Sequence, residues 1–211
     1  MNSKTRKRLL AAAAVLAAAQ QHSENSRCGQ EQDKGVEITS GIYHASIVVE
    51  DYGTITLELN GEVAPETVEN FVALAEDGFY DGLTFHRIIQ GFMIQGGDPK
   101  GNGTGGSEHK ITGEFSANGI ENTISHTRGT ISMARSKNYN SASSQFFIVQ
   151  ADSTYLDGDY AAFGRVTSGM EVVDQICADA RPLDKNGKIA PDAQPVIQSV
   201  TILKDQEGGG N

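Results

Sequence analysis

Phe85-His86-Arg87-Ile88-Ile89-Gln90-Gly91-Phe92-Met93-Ile94-Gln95-Gly96-Gly97-Asp98 contains two apolar runs separated by Gly91 and closed by a Gly pair. Apolar runs of this length bounded by Gly read as buried strands. Arg87 and Gln95 interrupt them. A charged or amide side chain on such a strand must meet water, a partner or a ligand, because burying it unpaired is costly. Alternation along a strand sets Arg87 and Ile89 on one face and His86 and Ile88 on the other. Met93 and Gln95 share a face by the same rule, with Phe92 and Ile94 opposite unless Gly91 bends the chain. One face thus gathers a guanidinium, a thioether and an amide. Two readings stay open on these residues alone: a satisfied structural Arg in an ordinary sheet, or one wall of a site.

Outward from this stretch the chain alternates short strands with turns. Residues 45–50 and 54–59 flank Asp51-Tyr52-Gly53 and form a hairpin. Pro65 opens a helix at its first turn, where a missing N–H is harmless. Val68, Phe71, Val72 and Ala75 give that helix one apolar side, and Gly78 ends it. Downstream, Gly101-Asn102-Gly103-Thr104-Gly105-Gly106 matches G-x-G-x-x-G literally. A dinucleotide site needs a strand before that pattern and a helix after it. No apolar helix follows, so the segment reads as a flexible surface loop. Strands are expected at 129–135, 145–149, 161–166 and 195–203, with a polar loop at 136–144 and a turn with exposed aromatics at 155–160. A second helix is expected at 169–178, with Val172, Val173, Ile176 and Cys177 inward. Many strands, two helices and no βαβ rhythm predict a mainly β fold, a closed antiparallel sheet with helices at its ends.

The chain has 211 residues, 38% of them hydrophobic and 21% charged, enough for one domain with a real core plus a tail. Its formal net charge of -10 argues against nucleic acid as a partner, since phosphate binding needs a basic face. The five histidines and two cysteines, Cys28 and Cys177, are scattered without metal-ligand spacing. No G-x-S-x-G is present, so a hydrolase has little support. Lys4, Arg6, Lys7 and Arg8 precede an apolar run from Leu9 to Ala19, with small residues at Ala17 and Ala19. That run is too short to span a bilayer. A basic start, a short apolar run and small residues make residues 1–19 a secretory signal and predict export; the alternative is a cytoplasmic protein with an unstructured N-terminus. Residues 20–40 read as a polar linker, 41–204 as the folded domain and 205–211 as a flexible tail.

Phe85 to Asp98, taken with Ser144-Gln145-Phe146-Phe147-Ile148, Leu156-Asp157-Gly158 and Phe163-Gly164 in that order, resembles the cyclophilin family of peptidyl-prolyl cis-trans isomerases. The resemblance runs from about Tyr43 to Leu203. It implies an eight-stranded closed antiparallel β-barrel capped by two helices, proline-containing polypeptides as substrates, a monomer, and no cofactor or metal. Arg87 matches the catalytic arginine. Phe92, Met93, Phe147 and Leu156 match the pocket for the substrate proline, and Gln95 and Gln145 match amides that bond substrate backbone. Ala134 and Arg135 match the edge that aligns the peptide, with Arg135 where many members have Asn. Tyr155 stands where many eukaryotic members have Trp, and Tyr160 where they have His, a combination that looks bacterial. Tyr155 offers a hydroxyl but no indole N–H, which implies weakened affinity for cyclosporin-like cyclic peptides. His86, on the opposite face from Arg87, reads as structural.

Overall fold

The computed structural model describes residues 41–203. The expected signal at 1–19, the linker at 20–40 with Cys28, and the tail at 205–211 lie outside the described residues. Within them the elements are β1 (Ile42–Val49), β2 (Gly53–Asn60), α1 (Pro65–Glu76), β3 (Arg87–Ile89), β4 (Met93–Gly96), β5 (Thr130–Met133), β6 (Phe146–Val149), β7 (Ala162–Ser168), α2 (Met170–Asp179) and β8 (Ile197–Leu203).

The eight strands form one sheet in the order β3-β4-β6-β5-β7-β2-β1-β8, and every pairing is antiparallel. Register shifts at Val48/Val49, Thr56/Leu57 and Ile131/Ser132 help to curl it. The sheet is open, which corrects the expected closed barrel. The reason lies at the β3 edge. Its outward backbone groups pair with a loop instead of with β8: Ile88 N–H donates to Gly187 O at 2.8 Å, and Ile189 N–H donates to His86 O at 3.0 Å. The two ends of the sheet approach through the segment before β3 and the start of β8, at the bridge Thr84↔Val196 and the backbone bonds that Ile197 makes with Gly82 and Leu83.

The concave side of the sheet holds the core. Ala45, Ile47 and Val49 of β1 alternate inward with Ile55, Leu57 and Leu59 of β2, all fully or almost fully buried. Phe146 is the hub of an aromatic cluster, meeting Phe71, Tyr80 and Phe85 edge-on at 5.6, 5.6 and 6.2 Å. Both helices bury the faces that their periodicity marks: Val68, Phe71, Val72 and Ala75 on α1, and Val172, Val173, Ile176 and Cys177 on α2. Cys177 is a free thiol, and burial pushes its pKa up to about 12, so it is unreactive. The first turn of α1 has no side-chain cap of its own. Glu114, itself buried, supplies one from a distant loop, accepting from Glu66 N–H at 3.1 Å and from Thr67 N–H and hydroxyl at 2.8 and 2.6 Å.

β4, β5 and β6 differ from an ordinary half-wet strand in burying nearly every residue. On β6, Phe146 and Ile148 point into the main core, whereas Phe147 and Val149 join Met93 in a second, smaller apolar cluster. That second cluster lies across the sheet from the core.

Candidate active site

The second cluster is built on one row of cross-strand partners. Arg87 on β3 faces Gln95 on β4, Gln95 faces Phe147 on β6, and Phe147 faces Ser132 on β5. Opposed residues in a ladder share a face. The row therefore carries a guanidinium, an amide, an aromatic ring and a hydroxyl side by side. In the next row Ile89 faces Met93, and Met93 faces Val149.

Strand alternation alone would turn Phe92 away from Met93, yet Phe92 packs on the same cluster. The turn between β3 and β4 is responsible. Gly91 adopts a φ of 76°, a conformation that favours Gly, and Phe92 N–H donates back to Ile89 O at 3.0 Å. Phe92 thus lies in the turn, outside the β4 ladder. Ala134, Leu156 and Tyr160 complete the cluster. Phe147 and Tyr160 meet edge-on at 5.9 Å. The result is an apolar cup open to solvent at its rim.

Arg87 is fixed beside this cup. Its Nε donates to Asn186 O at 2.7 Å and its Nη1 to Gln95 Oε1 at 3.0 Å. Nη1 also lies 3.8 Å from Met93 Sδ, and the guanidinium carbon is 5.9 Å from the centre of the Phe92 ring. Nη2 has no protein hydrogen bond among the described residues. Burial lowers the Arg87 pKa, opposed by Tyr160, Asp184 and Tyr155. An arginine remains charged under such a shift. From Gln95 the bonding continues: its Nε2 donates to Gln145 Oε1 at 2.9 Å, and Gln145 Nε2 donates to Gly105 O at 2.7 Å.

Gly105 belongs to the glycine-rich loop, which has no helix after it. The loop is pinned, against the expectation of a flexible one. Asp98 is buried, and its carboxylate accepts backbone N–H groups of Lys100, Asn102 and Gly103 at 2.8, 3.1 and 2.6 Å. Burial raises the Asp98 pKa, but these bonds outweigh it and hold the carboxyl low. His86 lies on the far side of β3 from the cup, buried, with neither ring nitrogen bonded to protein.

Two of the residues singled out from sequence lie at the margin of the cup, against residues that form it. Tyr155 is 70% exposed and meets Phe92 at 6.0 Å between rings. Arg135 lies beyond Tyr160, over whose ring it stacks at 4.6 Å. An open depression of about 580 Å³ lined by Gln90, Gly91, Arg128, Gln150, Ala151 and Asp152 contains none of the candidate residues.

Sequence reasoning missed the support behind Phe147. His126 is fully buried, stacks on Phe147 with rings 16° from parallel and 6.0 Å apart, and bonds Asp157 through Nδ1 at 2.8 Å and Ser132 through Nε2 at 3.0 Å. Burial lowers the His126 pKa despite the pull of Asp157. At Asp157, burial raises the pKa, but bonds from Ser125 and His126 prevail and keep it ionised. A His two residues before Arg128 in a polar segment gives no local sign of this role.

Residues 44–203 match the family described as cyclophilin type peptidyl-prolyl cis-trans isomerase/CLD. A peptidyl-prolyl cis-trans isomerase of Helicobacter pylori (strain J99) is 48% identical over 126 residues, covering 59% of this chain and 75% of that protein. Peptidyl-prolyl cis-trans isomerase-like 1 of Neurospora crassa is 44% identical over 156 residues, 74% of this chain and 93% of that protein. A crystal structure of a Cryptosporidium parvum cyclophilin type isomerase, obtained in the presence of the dipeptide Ala-Pro, is similar with a TM-score of 0.67 and 32% identity. It covers 77% of this chain and 99% of the other. With a match over residues 44–203 and relatives that carry the activity in their names, the chain belongs to the cyclophilin-type peptidyl-prolyl cis-trans isomerases.

Proposed function

We propose that the enzyme lowers the barrier to X–Pro rotation by holding the proline ring in the Phe92–Met93–Phe147–Leu156–Tyr160 cup and stabilising a twisted amide with Arg87. The barrier of about 18–20 kcal/mol comes from amide resonance. Rotation breaks that resonance and returns a lone pair to the prolyl nitrogen. A guanidinium beside the ring can donate to that lone pair, whereas the planar nitrogen offers none. The interaction exists mainly in the transition state, which is the kind that raises rate. No proton is transferred and no covalent bond is made. Gln95 and Gln145, bonded in series to Arg87, and the β5 edge at Ala134 would hold the substrate backbone while the acyl side turns.

One observation supports this reading above the others. Arg87 is tied at Nε and Nη1, so it is preorganised beside the Met93 and Phe92 side of the cup, and its Nη2 makes no hydrogen bond among the described residues. Exchange NMR on a short X–Pro peptide tests it. The wild type should speed exchange well beyond the uncatalysed tens to hundreds of seconds. Arg87→Ala should lose at least about tenfold in kcat/KM, about 1.4 kcal/mol of transition-state binding. Full activity in that variant would overturn the role. Peptide shifts without faster exchange in the wild type would point to a proline-peptide binding module or holdase.

The proposal extends to an exported, bacterial isomerase that acts on proteins folding outside the cytoplasm. Its support is the basic and apolar character of residues 1–19. N-terminal mass spectrometry of the protein recovered from its host should find a chain starting near residue 20. Intact Met1 in a cytoplasmic fraction would contradict export.

A further inference from the structure

Arg135 is the charged group next to the cup that the isomerisation mechanism leaves unused. Its guanidinium is caged by three aromatic rings, 5.1 Å from the centre of Phe115, 4.9 Å from Tyr139 and 4.6 Å from Tyr160. Its Nε donates to Asp159 O at 2.8 Å and its Nη1 to Ser136 O at 3.0 Å. Nη2, the tip of the fork, makes no hydrogen bond among the described residues. Nor does any described carboxylate pair with Arg135: the ion pairs are His126–Asp157, Arg128–Asp174 and Arg165–Glu58. The side chain is held by stacking and by main-chain oxygens, so its charge is presented but not neutralised.

Its location gives that charge a use. Tyr160 is shared: its ring lies under Arg135 and meets Phe147 edge-on inside the cup. The cup therefore sits between two fixed guanidinium groups, Arg87 on the β3 side and Arg135 on the far side of Tyr160, in a chain of net charge -10. A guanidinium whose rotamer is already fixed loses little further freedom on meeting a carboxylate, and stacking on rings leaves its in-plane donors available.

We propose that Arg135 is a specificity-determining residue that makes this enzyme favour proline segments with an Asp or Glu close to the proline. The inference rests on the cup receiving the proline ring, as proposed above.

The test uses the full chain and paired peptides that differ only in carrying Glu or neutral Gln. The variable residue is placed in turn at each position from three before to two after the proline. Exchange NMR gives kcat/KM, and chemical-shift titration of the same samples gives affinity. In low salt the wild type should favour Glu over Gln by about two- to fivefold at one position or two neighbouring ones, the range of an exposed ion pair. High salt should erase the preference. Arg135→Gln should bring the ratio to one, and Arg135→Glu should turn it below one, in favour of Gln. Each ratio is taken within one protein, so a general loss of activity in a variant does not imitate the effect. A wild-type ratio of one at every position, or a ratio that survives Arg135→Gln, would overturn the inference. A Glu preference in affinity with no acceleration of any peptide would remove the isomerase mechanism and leave the selection by Arg135 standing.

Discussion

His126 has both ring nitrogens committed, and the bonds fix its tautomer. A carboxylate can only accept, so Nδ1 donates to Asp157, and Nε2 accepts from the Ser132 hydroxyl. The ring is thereby locked flat against Phe147, the central wall of the cup. His126→Asn should leave Phe147 without that backing, raising KM for an X–Pro peptide severalfold more than it lowers kcat. A kcat loss with unchanged KM, in steady-state kinetics of the folded variant, would show that the wall does not depend on it. This scale also marks what sequence could yield. Arg87, Met93 and Gln95 were readable as one face because strand alternation is local. His126 was not, because its partners Asp157 and Ser132 stand 31 and 6 residues away and meet it only through the register of the folded sheet. The cage around Arg135 was hidden for the same reason, since Phe115, Tyr139 and Tyr160 come from three separate loops.

Among the elements, α1 depends on a residue far outside it. Glu114 satisfies the first free N–H groups of the helix and places a negative charge at its positive end. Glu114→Ala would leave the buried Thr67 N–H and hydroxyl without an acceptor. The expected cost is about 2 kcal/mol, and a domain of this size should lose roughly 4–8 °C in Tm. An unchanged melting curve by calorimetry would mean that another acceptor replaces the carboxylate. Pro65 announced the helix start, and Val68, Phe71, Val72 and Ala75 its buried face, but nothing local to the helix announced Glu114. β4 and β6 were legible as buried runs. Their two-sided burial has a cause that composition cannot display, with the aromatic core on one face and the cup on the other.

For the molecule as a whole, two buried histidines link stability to pH. Burial is the main cause lowering the pKa of both His86 and His126 from the ordinary 6.5. Each group binds a proton more readily in the unfolded chain than in the folded one. Protons therefore favour unfolding, and stability is full above about pH 6.5 and declines as pH falls below it. Asp98, Asp157 and Asp174 are held below the ordinary 3.8. They extend the decline once pH drops below that value. Tm should be flat from about pH 8 to 7 and fall steadily toward about pH 5, a slope that differential scanning fluorimetry would detect. A Tm that stays level to pH 5 would contradict it. Topology was the least legible property at this scale. Strand number and antiparallel pairing follow from short apolar runs and turns. Whether the sheet closes depends on which segment claims the edge of β3, and no local pattern encodes that choice.

The loop that claims this edge also holds Arg87. Gly187 O accepts from Ile88, Ile189 N–H donates to His86, and Asn186 O accepts from the Arg87 Nε. Peeling residues 186–189 from the sheet would cost ladder bonds and release the guanidinium in the same step. The seam and the Arg87 tether would thus open together, as one unit of local unfolding. By thermodynamic reciprocity, a substrate that engages Arg87 only in its tethered position must also tighten the seam. Occupancy of the cup would then be felt at the margin of the sheet, as slower opening of the 186–189 edge.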